Sequence, residues 1–424
     1  MMLDRHTAPA INTDFKFSLI HPDVVKHHEI PIYYIGNHSP ELVRIELIFN
    51  AGSIYQTQPL IASTTNDMLG EGTSKYTSAQ LSEKLDYFGA YVTKDISHDH
   101  AAVSLFTVTR YLNQVLPLFR EYLMDSIFPE HELQINLTNR KETLLHNLKK
   151  VEYVCRNGFA KLIYGEHPYG QSARPEDFEN VTSDDLQAFY RHYYLSGPSV
   201  IMVAGNTSSE VRNQIESSLH DWLQPQTKSA APPLLPYTPQ QTEIEFQNAI
   251  QSAIRIGTPT ISHTHPDYPI LSLGNMILGG YFGSRLMKNI REEKGYTYGI
   301  GSGINSNQLS GTFLISTEAG TEYLYMLKDE VYKEIKRMLD EPVTADELNI
   351  VKNFISGNFL KSVDGFFAQS DRIKTLVLNQ LPFNYYDNYL HIIKTATSQQ
   401  IQACMQQYLP LNQLSEYVVK GVNS

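Results

Sequence analysis

The chain has 424 residues, of which 42% are hydrophobic and 11% aromatic, and its formal net charge is −11. This length suits two domains of roughly 200 residues each, and the apolar content excludes a wholly disordered chain. The acidic balance argues against a nucleic-acid-binding protein, and two cysteines are too few for a disulfide framework.

The first residues, Met1 to His6, place no apolar segment behind a basic head and so predict no secretory signal. No apolar run approaches the ~20 residues that a membrane helix needs. We therefore expect a cytoplasmic protein without a membrane span. A periplasmic location is the alternative if an export signal has been removed.

The first half of the chain mixes strand and helix patterns. In chain order it predicts a strand over Arg44–Phe49, an apolar helical segment, a more polar helix over Ser78–Phe88 that ends at Gly89, paired strands over Tyr91–Asp95 and Ala102–Thr107, a long helix, and an acidic helix start over residues 128–133.

A proline-rich stretch then interrupts these patterns. Five prolines and several small polar residues occur between Pro225 and Pro239, a composition typical of a stiff, extended linker. We assign residues 225–240 to this linker, residues 1–224 to a first domain and residues 241–424 to a second.

The second half repeats the order of the first at an offset of about 205–215 residues. It predicts a strand over Ser252–Ile256, an apolar helical segment, a helix over Ser284–Lys294 that ends at Gly295, paired strands over Tyr298–Gly303 and Gly311–Thr317, a long helix, and an acidic helix start over residues 342–348. The predicted fold class is α+β, with two homologous domains that each form a mostly antiparallel sheet with helices packed on one face.

Five short motifs carry a resemblance over most of the chain, from about residue 30 to residue 420. They are Phe49-Asn-Ala-Gly52, Leu69-Gly-Glu-Gly-Thr73, His167-Pro-Tyr-Gly170, Val203-Ala-Gly205, and the segment from Leu278 to Tyr298. In this order and spacing the chain resembles the pitrilysin/insulinase-type zinc peptidases, in particular their short two-domain bacterial and mitochondrial-processing branch.

The zinc helix of that family reads His-x-x-Glu-His, and the resemblance places Ser63, Asn66 and Asp67 at its three chemical positions. Two neutral imidazoles one helical turn apart bind Zn²⁺, and the carboxylate takes a proton from the bound water. Ser, Asn and Asp offer hard oxygens, which are poor zinc ligands. We expect these residues to form a polar helix face lining a wet cavity.

A third ligand, a Glu on a helix about 75–80 residues later, is also implied by the resemblance. Aligning Arg140 with the arginine that commonly opens this helix puts the ligand position at His146, whereas a shift of one turn selects Glu142. Either register leaves Asp67 and one other group, while a catalytic zinc takes three protein ligands. We therefore expect no cofactor in this chain.

One further histidine pair, His98 and His100, is close enough in sequence to form a metal site. His98 and His100 alternate, so on a strand both imidazoles would share a face. The simpler interpretation is two ordinary histidines on an exposed strand or turn.

The resemblance implies a role for Arg291 and Tyr298. In heterodimeric members of the family one chain carries the zinc helix, and the other supplies an Arg and a Tyr at this spacing to hold the substrate backbone. Both side chains can donate hydrogen bonds to a peptide carbonyl. The alternative is a surface ion-pair arginine at a helix end, beside Glu292 and Glu293, and an ordinary strand tyrosine.

A glycine-rich segment contains Gly279, Gly280 and Gly283, but it lacks the Lys-Ser/Thr of a phosphate loop. The resemblance implies a loop at the chamber entrance that contacts substrate, and the alternative is a tight turn between helices.

The functional hypothesis is a non-catalytic subunit of a heterodimeric zinc metallopeptidase. It would pair with a homologous zinc-bearing chain, enclose an unfolded or short peptide and supply Arg291 and Tyr298. The alternative is a catalytically inert peptide-binding or structural homologue, perhaps as a homodimer. A third reading is an independent metallopeptidase with unusual ligands.

Overall fold

The computed structural model describes residues 18–38, 40–219 and 230–422. Two predictions concern residues outside these ranges. They are the absence of a secretory signal at residues 1–6 and the first part of the linker, residues 225–229. Within the described ranges, no helix has both the length and the apolar character required to cross a membrane.

Eleven strands are present in the described ranges: β1 Asp23–His27, β2 Ile30–Asn37, β3 Leu42–Phe49, β4 Tyr91–Ile96, β5 Ala101–Val108, β6 Val200–Asn206, β7 Gln241–Gln247, β8 Gln251–Thr260, β9 Ile300–Ser306, β10 Gly311–Gly320 and β11 Ser415–Val422.

The same ranges contain these α-helices: α1 Ile61–Met68, α2 Ser78–Tyr87, α3 Leu112–Met124, α4 Glu130–Asn147, α5 Val151–Tyr164, α6 Ser183–Tyr193, α7 Ser209–Leu219, α8 Tyr268–Asn275, α9 Leu324–Asp340, α10 Ala345–Lys361, α11 Gly365–Leu378, α12 Tyr385–Thr395 and α13 Ser398–Tyr408. Two π-helical segments, Met276–Gly280 and Met287–Glu293, follow α8.

The strands form two sheets that share a five-strand arrangement, to which the first sheet adds β1 at one edge. The first has the order β1-β2-β6-β3-β5-β4 and the second β7-β11-β8-β10-β9. Each has a single parallel pair, β2 with β6 and β7 with β11, and is otherwise antiparallel. The predicted α+β class with two similar, mostly antiparallel sheets is confirmed, and β3 and β8 occupy equivalent central positions.

Local sequence explains where the predicted polar helices begin and end. Thr77 caps α2 with a reciprocal pair of hydrogen bonds to Gln80, which satisfies two backbone groups at the helix start. Gly89 and Gly295 have φ angles of +63° and +68°, a left-handed conformation that favours glycine and stops a helix. The glycine stops predicted from sequence therefore lie where the helical segments end.

Each sheet also packs against a helix from the other half of the chain, which the sequence did not predict. Helix α5 packs on β8 and β11, and helix α11 packs on β6 and β2. Matching ion pairs accompany the exchange. Arg44 on β3 lies 2.8 Å from Asp371 on α11, and Arg255 on β8 lies 2.8 Å from Glu152 on α5. The two halves are thus joined by reciprocal contacts.

Candidate functional site

Helix α1 carries the three degenerate zinc-motif positions and is packed between α4 and α6. It begins after Leu60, whose φ angle of +77° turns the chain into the helix. Ser63 and Asp67 are four residues apart and therefore share one face, which meets α4.

A guanidinium from α4 lies on that face. Arg140 donates one hydrogen bond to Ser63 Oγ at 2.7 Å and another to Thr64 Oγ1 at 2.8 Å. Its Nη1 also lies 3.1 Å from Asp67 Oδ2. A fixed cation thus occupies the position between α1 and α4 toward which both candidate ligand side chains point. The three contacts use the fork geometry that makes arginine suited to planar recognition of oxygens.

A second cation approaches the same helix end. Lys94 on β4 donates to the backbone carbonyls of Asp67 and Leu69 and lies 3.5 Å from Glu71. Burial raises the pKa of Asp67, although Arg140 and Lys94 oppose this effect, and burial lowers the pKa of both Lys94 and Arg140. Two positive groups beside one carboxylate repel a divalent cation.

Asn66, at the position of the catalytic carboxylate, faces a different neighbour. It is fully buried, and its Oδ1 accepts a hydrogen bond of 3.0 Å from the hydroxyl of Tyr194. Its Nδ2 has no partner among the described residues. A buried amide held by a tyrosine cannot take a proton from water, because a neutral amide is not a base at neutral pH.

The predicted third-ligand positions do not meet this face. His146 is six residues beyond Arg140 on α4, which corresponds to about 240° around the helix axis, and it is exposed. Glu142 is also exposed, about 200° from Arg140. The structure brings Arg140, rather than either of these residues, to Ser63 and Asp67. No group of three or more His, Cys, Asp or Glu side chains in the described ranges could hold a metal ion, so these residues do not fit zinc.

His98 and His100 lie at a joint between the two halves. His98 Nδ1 is 3.0 Å from Ser53 Oγ, and His100 Nε2 is 2.8 Å from Gln308 Nε2 of the second half. Between them, Asp99 accepts a hydrogen bond from the backbone N–H of Gln308. Burial lowers the pKa of both histidines. Their contacts are those of ordinary histidines in a packed interface, but the predicted exposed position is wrong, because both side chains are half-buried.

Arg291 and Tyr298 present their functional atoms outward. The Arg291 guanidinium carbon lies 4.6 Å from the centre of the Phe282 ring, and no hydrogen bond or ion pair in the described part of the chain holds it. Glu292 and Glu293 are exposed and do not pair with it. Tyr298 is 94% exposed. The surface ion pair considered for Arg291 is therefore not formed.

Local structure holds this segment in place. The π-helical segment Met287–Glu293 ends just before Gly295, and π-helical turns are frequent at functional sites. Thr297 is buried, and its hydroxyl oxygen lies 3.0 Å from the hydroxyl oxygen of Thr317 on β10. Because Thr297 is anchored inward, the next side chain, Tyr298, is directed to solvent.

Tyr298 also lines a charged cavity of about 360 Å³. Its wall includes Glu152 and Arg255, the ion pair that joins α5 to the second sheet, together with Glu318. Burial, reinforced by Glu152, raises the pKa of Glu318. Sequence reasoning missed this cavity because its walls come from both halves of the chain.

The glycine-rich segment lies beside Arg291. A Cβ on Gly279 would be 2.7 Å from the backbone N of Ser302 on β9, so this glycine permits close contact with the sheet. Added Cβ atoms on Gly280 and Gly283 would also meet side chains at under 3.0 Å. Between them, Phe282 is 63% exposed and stacks on Arg291. Tight packing accounts for the glycines, and the same turn presents an aromatic ring.

Comparison with known proteins finds one matching family model and several distant relatives. The family model described as the peptidase M16 inactive domain matches residues 180–355. A relative from Bacillus subtilis, "Uncharacterized zinc protease YmxG", is 23% identical over 80% of this chain and 83% of its own length. The Helicobacter pylori "Non-peptidase homolog YmxG" is 20% identical over 95% of this chain and 94% of its own length.

Solved structures share the fold. The peptidase M16 inactive domain from Pseudomonas fluorescens superposes with a TM-score of 0.88 at 23% identity, covering 95% of this chain and 98% of that one. The periplasmic protease PqqL from Escherichia coli superposes with a TM-score of 0.77 at 14% identity, covering 99% of this chain but 49% of PqqL. The resemblance seen in the sequence is thereby confirmed: residues 180–355 match the peptidase M16 inactive domain, and most of the chain is similar to proteins described as a zinc protease or as a non-peptidase homologue.

Proposed function

We propose that the chain is the non-catalytic subunit of a heterodimeric zinc metallopeptidase, supplying Arg291 and Tyr298 to a partner's active site. One observation carries the proposal. In the degenerate zinc helix, Ser63 and Asp67 are both bound by Arg140, whereas Arg291 and Tyr298 have no polar partner in the described part of the chain. A guanidinium and a phenol hydroxyl that make no polar contact within the protein can exchange water for a ligand as hydrogen-bond donors.

The proposed chemistry is donation to the scissile carbonyl. Zinc in the partner would activate the attacking water. As the carbonyl oxygen becomes negatively charged, the guanidinium of Arg291 and the hydroxyl of Tyr298 donate hydrogen bonds to it. Loss of one such donor typically costs about 3 kcal/mol, which is a hundredfold or more in rate.

The fold supports an incomplete chamber. This chain covers about half of PqqL (49%), so one fold unit of this kind accounts for half of a longer protease. In the proposal, the domains at residues 1–224 and 241–424 form one side of a chamber, and the zinc-bearing homologue forms the other. An unfolded or short peptide would bind between them, with cytoplasm as the proposed compartment.

The test is reconstitution with a homologue from the same organism that contains an intact His-x-x-Glu-His. A quenched fluorescent peptide reports hydrolysis by each chain alone and by the mixture. We expect activity only in the mixture, and we expect Arg291→Ala and Tyr298→Phe each to lower kcat by about a hundredfold. Arg110→Ala is the control, because Arg110 is an exposed arginine stacked on a tyrosine far along the chain from this segment.

Two outcomes would overturn the proposal. Equal activity of wild-type and Arg291→Ala mixtures would remove the assigned role of the arginine. A mixture no more active than the zinc-bearing chain alone would favour the inert homologue, and sedimentation would then show whether this chain forms a homodimer.

A further inference from the structure

A second cavity lies within the helical layer of the second half, between α8, α10, α11 and α12. Its volume is about 340 Å³, within the range of small-molecule sites. Aromatic rings form most of its wall, contributed by Tyr268, Phe359, Tyr385, Tyr386 and Tyr389. None of the residues assigned above to peptide hydrolysis lines it. The cavity therefore has a separate explanation.

One cation in this aromatic wall lacks a counter-ion. The Arg372 guanidinium carbon lies 5.8 Å from the ring centres of both Phe359 and Tyr386. Arg372 is half-buried, and no acidic side chain in the described ranges pairs with it. The neighbouring Asp371 is engaged by Arg44. A half-buried arginine without a carboxylate is poised to bind an anion.

The tyrosine hydroxyls of the wall already have partners. Tyr385 donates to the backbone carbonyl of His263 at 3.0 Å, and the Tyr389 hydroxyl lies 3.1 Å from Ser272 Oγ. The rings therefore offer mainly apolar faces to an occupant. A flat, apolar body would stack on them.

His263 supplies an independent indication. Its side chain lines the cavity, and its Nε2 atom is buried without a hydrogen-bond partner in the described part of the chain. Burial lowers the pKa of His263, so the imidazole is neutral near pH 7 and adds no second positive charge. Unpartnered buried polar atoms are uncommon, and a ligand that hydrogen-bonds to this nitrogen would satisfy it.

We propose that this cavity binds a carboxylate attached to an aromatic body, with the carboxylate on Arg372, the ring among the tyrosines and a polar group near His263. A single cation matches a monoanion better than a phosphate, whose second charge would remain uncompensated. The same chemistry occurs in the C-terminal residue of a peptide ending in an aromatic side chain and in a free aromatic acid. The site does not depend on the proposed partner.

Isothermal titration calorimetry with three probes distinguishes these sources. N-acetylphenylalanine represents a peptide C-terminus, N-acetylphenylalanine amide lacks the charge, and phenylacetate lacks the peptide group. We expect saturable binding of N-acetylphenylalanine and at least tenfold weaker binding of its amide. Phenylacetate binding as tightly as N-acetylphenylalanine would assign the site to free aromatic acids, and weaker binding would assign it to peptide C-termini.

Two variants locate the site. Arg372→Gln should weaken N-acetylphenylalanine at least tenfold while leaving the weak binding of the amide unchanged, and Arg110→Gln should change neither. Asn358 is exposed on α10 at the cavity wall, so Asn358→Trp can obstruct the cavity without altering the core. It should abolish binding of all three probes. Absence of saturable carboxylate binding to the wild type, or binding unaffected by both Arg372→Gln and Asn358→Trp, would overturn the proposal.

Discussion

The two halves share a sheet topology but differ in how they treat their polar side chains. In the first half, Arg140 covers the polar face of α1, where it contacts Ser63 and Asp67. In the second half, the π-helical segment Met287–Glu293, which corresponds to α2, carries Arg291, and Tyr298 follows it; neither side chain has a polar partner in the described ranges. In the function proposed above, this difference corresponds to a division of roles: Arg140 fills the degenerate site in the first half, and the second half supplies Arg291 and Tyr298 to a partner.

The variant with the largest expected loss of stability tests the reciprocal contacts, which both halves make. Glu46 on β3 is buried, and Lys374 on α11 lies 2.7 Å from it. Lys374→Met leaves this carboxylate without its main partner and should lower the free energy of unfolding by about 3 kcal/mol in urea titrations. Combining it with Glu46→Gln should recover part of the loss.

The control for that variant is Lys336→Met, which removes an exposed pair with Asp340 and should leave the urea midpoint nearly unchanged. If Lys374→Met lowered the stability no more than Lys336→Met does, the packing of α11 on the first sheet would not depend on this ion pair. The two halves would then share their arrangement of strands and helices but not the stabilising role of the ion pairs.

A variant with a smaller expected loss of stability tests the contacts of Arg140 with α1. Arg140→Ala removes two hydrogen bonds and an ion pair, and it leaves Asp67 half-buried beside Lys94 alone. We expect a loss of about 1–3 kcal/mol in the free energy of unfolding, since Asp67 remains partly solvated. Arg110→Ala is the matched control. Equal stability of both variants would show that Arg140 does not join α1 to α4.

The joint at His98 and His100 predicts a pH dependence. The pKa of each histidine in the folded chain lies below the ordinary 6.5 of the unfolded chain. At a pH between the folded and unfolded pKa values, the unfolded chain therefore binds more protons than the folded chain. Stability contributed by these histidines is present above pH 6.5 and is lost as the pH falls below it. Urea midpoints measured from pH 7 to pH 5 should therefore fall. His100→Gln should flatten this slope, whereas His131→Gln, at an exposed position on α4, should leave it unchanged.

The smallest expected effect belongs to the second half. Arg291→Ala and Tyr298→Phe should each change the free energy of unfolding by less than about 0.5 kcal/mol, because neither side chain has a polar partner in the described part of the chain. Thermal unfolding curves that nearly superpose on the wild type would support this expectation. A loss above 1 kcal/mol in either variant would identify a structural role instead.

Much of the fold could be predicted because local patterns repeat. The strand over Arg44–Phe49 and the stops at Gly89 and Gly295 depend on nearby residues alone, and all three are present in the structure. The alternation in Arg44–Phe49 indicates a half-buried strand, but both faces are buried because α11 covers the polar one. The exchange of α5 and α11 could not be predicted, since it depends on which sheet a helix meets after the chain has folded.

The candidate site shows the same limit. Ser63 and Asp67 share a face that follows from helical spacing, but the hydrogen bond from Arg140 to Ser63 spans 77 residues. No local sequence pattern shows that two side chains so far apart will meet, so the contact of Arg140 with Ser63 could not be predicted.

The central claim is that an arginine occupies the position of a metal in the first half. Zinc content is its most direct test. The purified chain is equilibrated with a small excess of zinc, dialysed against metal-free buffer and analysed by emission spectroscopy. The arrangement of Arg140, Ser63 and Asp67 predicts far less than one zinc per chain. One tightly held zinc per chain, lost on replacing Asp67 with Ala, would contradict the account.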